Sequence, residues 1–248
     1  MQPANASPRG LSRLLVAAAV GLLALGFSGF SDLGGATAEA KEGTKGRSKG
    51  TFEHGCRVQA PQKSLMRRTF LKRDGTLDMA KHTAAVRYLS ERYGHVDNEA
   101  TRSWNKKSAQ SQSKLVRFMG LPITVHDKIA PALACVEKRI RQTCGARYTP
   151  HALSGLRTSN TYRGVEVSNH LFGIAVDIDP DRNPCCGCVD PWPSNPICKN
   201  QGPVFKRTAL PKCYIRAFER FGFDWLGHDK LEDTMHFEFL GDPDRIRK

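Results

Sequence analysis

The sequence lacks an apolar run long enough to span a lipid bilayer comfortably. A transmembrane helix needs about 20 mostly apolar residues. The most apolar stretch, residues 14–25, is shorter than that, and it follows a basic flank formed by Arg9 and Arg13. Small-residue cleavage sites follow at residues 36–40. This pattern is typical of a secretory signal peptide over residues 1–40, with a retained N-terminal anchor as the alternative. We expect no transmembrane segment in the mature chain.

Acidic residues are scarce compared with basic residues. The chain has 24 Asp and Glu against 38 Lys and Arg, a formal net charge of +14. Residues 1–40 contain two residues of each sign, so the remainder keeps this charge. An exported protein with such a charge is expected near the anionic cell envelope, and nucleic acid is the rival partner. Binding to single-stranded nucleic acid uses aromatic side chains among the basic ones. The basic run at residues 66–73 has only one aromatic residue, so we expect no nucleic-acid partner.

Cysteine is absent before Cys56, so a cysteine-linked lipid anchor is not expected after the apolar run. The chain has eight cysteines, and thiols of an exported protein are expected to form disulfides. Their pairing stays open, because eight cysteines allow many connectivities. Four of them lie in the insertion at residues 185–198, "CCGCVDPWPSNPIC". A structural zinc knot is the alternative there, but the Gly and Pro content favours a loop held by disulfides.

Composition and periodicity divide the chain into segments. Residues 41–55 are rich in Gly and Lys and predict a flexible basic linker. We expect a helical N-terminal extension at residues 56–120 and the functional domain at residues 121–248.

Apolar periodicity predicts three helices. The first lies within residues 77–93 and carries Met79 on its apolar face. The second follows a capping box formed by Thr124 and Asp127 and ends near Gly145. The third follows Pro211 and stops at Gly222.

Alternating patterns predict two strands that carry polar residues on one face. In "GIAVDID" the apolar residues alternate with a small residue and with Asp177 and Asp179. In "MHFEF" two phenylalanines alternate with His236 and Glu238. If the strands pair, Asp177 and His236 can share a face. Together with the helices, they predict an α+β fold in which helices pack on a small antiparallel sheet.

Three residues in these segments could hold a hydrolytic zinc ion, which takes three nitrogen or oxygen ligands and leaves one open position. They are His170, Asp177 and His236. The spacing alone is weak evidence. However, residues 168–177 spell S-x-H-x-x-G-x-A-x-D, and residues 233–238 spell D-x-x-H-x-E. This pair of motifs resembles the zinc D-alanyl-D-alanine carboxypeptidase family, which includes VanY-like peptidases and phage L-alanyl-D-glutamate endolysins. The resemblance covers roughly residues 120–245 and implies a zinc ion in a central cleft, in a fold similar to that of the hedgehog signalling domain.

The resemblance implies a role for each residue of the two motifs. His170, Asp177 and His236 match the zinc ligands. Asp233 matches the general base and acid, at a position where many members carry Glu. Glu238 is the alternative for that role, or a partner of His236.

The resemblance also implies contacts with the substrate. Arg163, preceded by Tyr162, matches the arginine that stabilises the substrate carbonyl or carboxylate, and Arg157 is its alternative. Ser168 is expected to bind the substrate or to orient a ligand. Trp225 is expected to line the floor of the cleft. Asp179 is expected to end the strand or to support the ligands.

These expectations combine into one functional hypothesis. The chain is expected to be a secreted or periplasmic, monomeric zinc metallopeptidase that hydrolyses peptidoglycan stem peptides. It could act as a carboxypeptidase or as an endopeptidase, and Zn²⁺ is the expected cofactor. The alternative is a catalytically inactive, zinc-containing module that binds the cell wall.

Overall fold

The computed structural model describes residues 50–162, 165–189 and 191–247. The predicted signal peptide and residues 41–49 of the predicted linker lie outside these residues. Residues 48–248 form one compact unit. Within the described residues, no helix has the length and apolar character that a membrane crossing requires.

The described residues form a mixture of helices and short strands, which confirms the predicted α+β class. The α-helices are α1 (Arg67–Phe70), α2 (Met79–Tyr93), α3 (Glu99–Trp104), α4 (Ala130–Thr143) and α5 (Lys212–Arg220). The strands are β1 (Phe52–Glu53), β2 (Cys56–Arg57), β3 (Ser113–Phe118), β4 (Leu121–His126), β5 (Leu153–Ser154), β6 (Ala175–Ile178), β7 (Phe223–Trp225) and β8 (His236–Phe239).

The central sheet is antiparallel, with the strand order β5-β6-β8-β7. Asp177 of β6 lies opposite His236 of β8, so the two predicted strands pair as expected. The other face of the sheet packs on α5, where the ring of Phe218 stacks on Phe237 with centroids 4.1 Å apart. Every residue of β6 and β8 is buried, so the face that carries the polar residues is covered as well.

The helix predictions hold in part. Helices α2 and α5 lie where periodicity placed them, and Asp78 caps α2 by accepting a hydrogen bond from the backbone of Lys81. Met79, however, is 49% exposed and does not face the core. The side chain of Met79 sits in the first turn of α2, where it extends past the end of the packed surface.

The predicted capping box at Thr124 is wrong. Thr124 lies within β4 and is paired with Leu115 of β3. Helix α4 begins only at Ala130, and Pro131 occupies its first turn. A backbone N–H in the first turn has no partner within the helix, so the proline costs no hydrogen bond there. Thr124 therefore pairs within a strand, although the local sequence pattern around it is typical of the start of a helix. The predicted end near Gly145 agrees with the last helical residue, Thr143.

The predicted boundary between residues 120 and 121 lies in the turn between β3 and β4. A disulfide joins Cys56 to Cys135 across this boundary. Phe70 and Leu89, from the segment before it, are buried in the same core as α4 and the central sheet. Residues 56–120 therefore complete the core of the functional domain.

The disulfide prediction is confirmed for all eight cysteines. The pairs are Cys56–Cys135, Cys144–Cys213, Cys185–Cys188 and Cys186–Cys198. The insertion at residues 185–198 is thus closed by two disulfides, and its sulfurs are not free to form a zinc knot.

Asp179 ends β6 with a fully buried carboxylate. One oxygen accepts hydrogen bonds from the backbone N–H groups of His151 (2.8 Å) and Ala152 (2.6 Å), and the other accepts one from the hydroxyl of Tyr148 (2.5 Å). These donors hold residues 148–152 against the end of the strand. Asp179 is therefore a structural residue at the strand end, one of the two roles expected for it.

We predict that Asp179→Ala lowers the free energy of unfolding by about 3 kcal/mol, because it leaves buried donors without an acceptor. Urea denaturation measures the change. The matched control is Asp181→Ala, since Asp181 has an exposed side chain and its removal should alter the free energy by no more than about 0.5 kcal/mol. Equal losses for the two variants would contradict the prediction.

Candidate metal centre

His170 is positioned by a short turn of 3₁₀ helix, Asn169–Phe172. The hydroxyl of Ser168 caps this turn by accepting a hydrogen bond from the backbone of His170. Gly173 ends the turn in the left-handed conformation (φ 66°), and a Cβ there would lie 2.8 Å from Ser113 Oγ. Ser168, His170 and Gly173 therefore belong to one capped turn, which places the imidazole of His170 near the start of β6.

The structure brings His170, Asp177 and His236 together. Nε2 of His170 lies 3.2 Å from Nδ1 of His236 and 3.1 Å from one carboxylate oxygen of Asp177. The other oxygen of Asp177 lies 3.0 Å from Nδ1 of His236. All three side chains are almost completely buried.

Hydrogen bonds on the far side of each ring orient the two imidazoles. Nδ1 of His170 donates to the carbonyl of Gly155 at 2.6 Å. Nε2 of His236 lies 3.3 Å from a carboxylate oxygen of Glu238, which can only accept. We therefore assign a proton to each outer nitrogen, so that each inner nitrogen can offer a lone pair when a metal ion is bound.

The charge of the cluster calls for a cation. Burial lowers the pKa of His236, but hydrogen bonds to Asp177 and Glu238 outweigh this effect and raise the pKa to about 10. Burial raises the pKa of Asp177, yet the neighbouring His170 and His236 reverse that effect and hold it well below its usual value. The site therefore binds a proton unusually tightly, and a bound metal ion would replace that proton.

The donor set fits a zinc ion. Two imidazole nitrogens lie 3.2 Å apart, and each lies 3.0 to 3.1 Å from one of the two carboxylate oxygens of Asp177. Ligands of a tetrahedral zinc ion at the usual bond lengths are about 3.3 Å apart. A histidine that binds zinc usually donates its other ring N–H to a carbonyl or a carboxylate. His170 has such a partner in the carbonyl of Gly155, and His236 has one in the carboxylate of Glu238.

Asp233 lies beside this cluster in the cleft, on the loop before β8. Its side chain is buried, and its Oδ1 has no hydrogen-bond partner within the described residues. Burial is the main cause that raises the pKa of this carboxyl to about 7. The neighbouring Glu232 points elsewhere, because its carboxylate pairs with Arg207. Asp233 is thus a buried acid with a free oxygen at the metal centre.

Glu238 lies on the far side of His236 from the cluster. One carboxylate oxygen contacts His236 and accepts a hydrogen bond from the side-chain amide of Asn169 at 2.6 Å. This position favours the role of a partner that orients His236 over the role of a general base.

Of the two candidate arginines, the structure describes only Arg157. Its guanidinium is bonded to the carboxylate of Asp177 and lines the cleft above the cluster. Arg163 lies outside the described residues, so its predicted role stays a prediction.

The cleft over the cluster has a volume of about 530 Å³, within the usual range for small-molecule sites. Tyr162, Ser168 and Asp233 line it, as do the three residues of the cluster. The disulfide Cys185–Cys188 and the apolar side chains of Val189, Trp192, Leu231 and Met235 also line it.

Trp225 is not among the residues that line the cleft, contrary to expectation. It is fully buried in the core and stacks on Phe205, with centroids 5.4 Å apart. Its indole N–H donates to the carbonyl of Thr234 at 2.9 Å. Trp225 faces the core because it lies on β7, directly opposite Phe237 of β8, whose side chain also points inward.

Two residues that support the site carry no local signal in the sequence. Gly155 supplies the carbonyl that holds His170, and a Cβ at this glycine would lie 2.2 Å from the carbonyl oxygen of Thr124. Arg67, from α1, lines the cleft while it pairs with Glu166 and Asp229. Both contributions depend on contacts between distant segments, which no local pattern records.

A second cluster of potential ligands consists of Cys185, Cys188 and Asp233. The two sulfurs are joined in a disulfide, so they are not available as thiolates. The cluster of His170, Asp177 and His236 remains the candidate metal centre.

Comparison with known proteins agrees with this site. The family described as D-alanyl-D-alanine carboxypeptidase matches residues 162–239, a segment that contains all three residues of the cluster and Asp233. No curated protein and no solved structure matches the chain. The family match supports a peptidase role and a peptide substrate.

Proposed function

We propose that the chain is an exported zinc metallopeptidase that hydrolyses the stem peptides of peptidoglycan. The observation that carries this proposal is the convergence of two imidazole nitrogens and one carboxylate beside Asp233 on the wall of an open cleft. A module that only binds the cell wall would need the metal ion but no proton-transfer group. Hydrolysis needs both, and the buried carboxyl of Asp233, with its free oxygen, can transfer the proton.

His170, Asp177 and His236 would hold the zinc ion. When bound, zinc lowers the pKa of a water ligand and polarises the scissile carbonyl. Asp233 takes a proton from the attacking water and delivers it to the leaving amine, a role that suits a carboxyl whose pKa burial has raised toward neutrality. Arg157 reaches the cleft with a guanidinium, which can bind a developing oxyanion or a terminal carboxylate.

The substrate and the location follow from the charge and the family match. The chain carries a net charge of +14, which favours association with an anionic cell wall. The predicted signal peptide and the four disulfides support export. We propose that the chain acts as a monomer and that it resembles either the VanY-like carboxypeptidases or the L-alanyl-D-glutamate endopeptidases. Tyr162 and Ser168 line the cleft where the substrate would bind.

The first prediction concerns the reaction. The purified mature chain with Zn²⁺ should release either one alanine or a separated peptide tail from muropeptides, and mass spectrometry distinguishes the two products. A chelator should stop both reactions. If the zinc-loaded protein binds muropeptides and releases no product, the inactive cell-wall module becomes the correct interpretation.

The second prediction concerns Asp233. Asp233→Asn should retain the metal and lower kcat by about 10² to 10⁴-fold, because it removes the proton-transfer group. The matched control is Glu232→Gln, since Glu232 pairs with Arg207 and does not line the cleft. Metal analysis and single-turnover kinetics measure the two effects. Unchanged turnover in Asp233→Asn would rule out the assigned role.

The third prediction concerns the metal. His236→Ala should lower the zinc content of the purified protein from about one ion per chain to almost none, because three ligands are needed for tight binding. The control is His228→Ala, since the side chain of His228 is partly exposed and pairs with Glu219 away from the cluster. Metal analysis by mass spectrometry provides the measurement. Equal zinc content in the two variants would place the metal elsewhere.

A further inference from the structure

A second cavity lies next to the cleft and has a different chemical character. This basic groove has a volume of about 490 Å³ and is mostly polar. The residues that line it include Asp97, Lys106, Lys107 and Arg157, and the others are mostly polar. Most of these residues precede the segment that matches the peptidase family. The groove is therefore a feature of the N-terminal part of this chain.

The charge of the groove is largely unopposed. Lys106 and Lys107 are exposed, and within the described residues neither forms an ion pair with a carboxylate. Asp97 is the one carboxylate among the lining residues, and its charge is already offset by Arg102. A polar groove that presents two free ammonium groups favours an anionic ligand.

Arg157 connects the groove to the proposed catalytic cleft, since it lines both cavities. Its guanidinium contacts Asp177 of the metal centre. The cleft also has an apolar part, with Val189, Trp192 and Met235 among its lining residues. A peptide that extends from the cleft past Arg157 into the groove therefore meets apolar side chains in the first cavity and ammonium groups in the second.

We propose that the basic groove binds a carboxylate of the substrate through Lys106 and Lys107, next to the cleft in which the scissile bond would lie. This inference rests on the proposed function and adds a substrate class to it. The preferred substrate is an acidic peptide, with its charged residue in the groove and an apolar residue in the cleft. An exposed ammonium contributes modest binding energy, so the two lysines act mainly on substrate selection.

The test uses two labelled peptides of the same sequence, one with a free side-chain carboxylate and one with the corresponding primary amide. Fluorescence anisotropy measures their binding to the zinc-loaded full chain. The wild type should bind the acid about fivefold more tightly than the amide, the size expected for two exposed charge contacts. Higher salt should reduce this preference. Lys106→Gln/Lys107→Gln should bind both peptides equally.

The matched control is Lys72→Gln/Lys138→Gln, which removes the same charge from exposed lysines that line neither cavity. This variant should keep the wild-type preference. If Lys106→Gln/Lys107→Gln keeps the preference, or if the wild type has none, the inference is overturned. If both double variants lose it equally, the preference comes from net charge alone, which overturns the inference as well.

Turnover of the same peptides separates the inference from the proposed function. Lys106→Gln/Lys107→Gln should raise KM for the acid about fivefold and leave kcat unchanged, because neither lysine lines the cleft that would hold the reacting atoms. If the wild type binds the acid with the expected preference and cleaves neither peptide, the proposed peptidase activity fails while the carboxylate site stands.

Discussion

The pairing of β6 with β8 is the constraint on which the candidate site depends. It places Asp177 directly opposite His236, with Val176 and Phe237 as the next pair along the strands. Side chains alternate between the two faces of a sheet, so a shift of one residue would turn the carboxylate or the imidazole into the core. The stacking of Phe237 on Phe218 of α5 opposes such a shift. The hydrophobic core on one face therefore sets the positions of the polar atoms on the other.

Asp177 and Asp179 show two solutions to the burial of a carboxylate. Asp179 is surrounded by donors, namely two backbone N–H groups and the hydroxyl of Tyr148. Asp177 instead faces the inner nitrogens of two imidazoles whose outer nitrogens are bonded elsewhere, with Arg157 on one side. A buried charge without sufficient donors needs a cation or a proton. This contrast explains why two acids so close in sequence have different roles.

The sequence was sufficient to predict the parts of the site that local patterns encode. The alternation in β6 and β8 is a property of short segments, and it predicted that Asp177 and His236 share a face. The third candidate ligand, His170, came from the motif resemblance, and it lies with the other two. The failed predictions depended on distant contacts. Thr124 joined a strand because Leu115 pairs with it, and Trp225 turned into the core because β7 packs beside β8. Likewise, no local pattern indicates that the carbonyl of Gly155 supports His170.

The disulfide-closed insertion affects the position of Asp233 through the backbone. Cys186 and Gly187 donate backbone hydrogen bonds to the carbonyls of Glu232 (3.2 Å) and Leu231 (2.6 Å). A Cβ on Gly187 would lie 2.6 Å from the Leu231 oxygen, so only glycine allows this close approach. Two disulfides limit the conformations of the insertion, and the hydrogen bonds extend that restriction to the loop of Asp233. The insertion therefore holds the backbone that carries Asp233 beside the cluster of His170, Asp177 and His236.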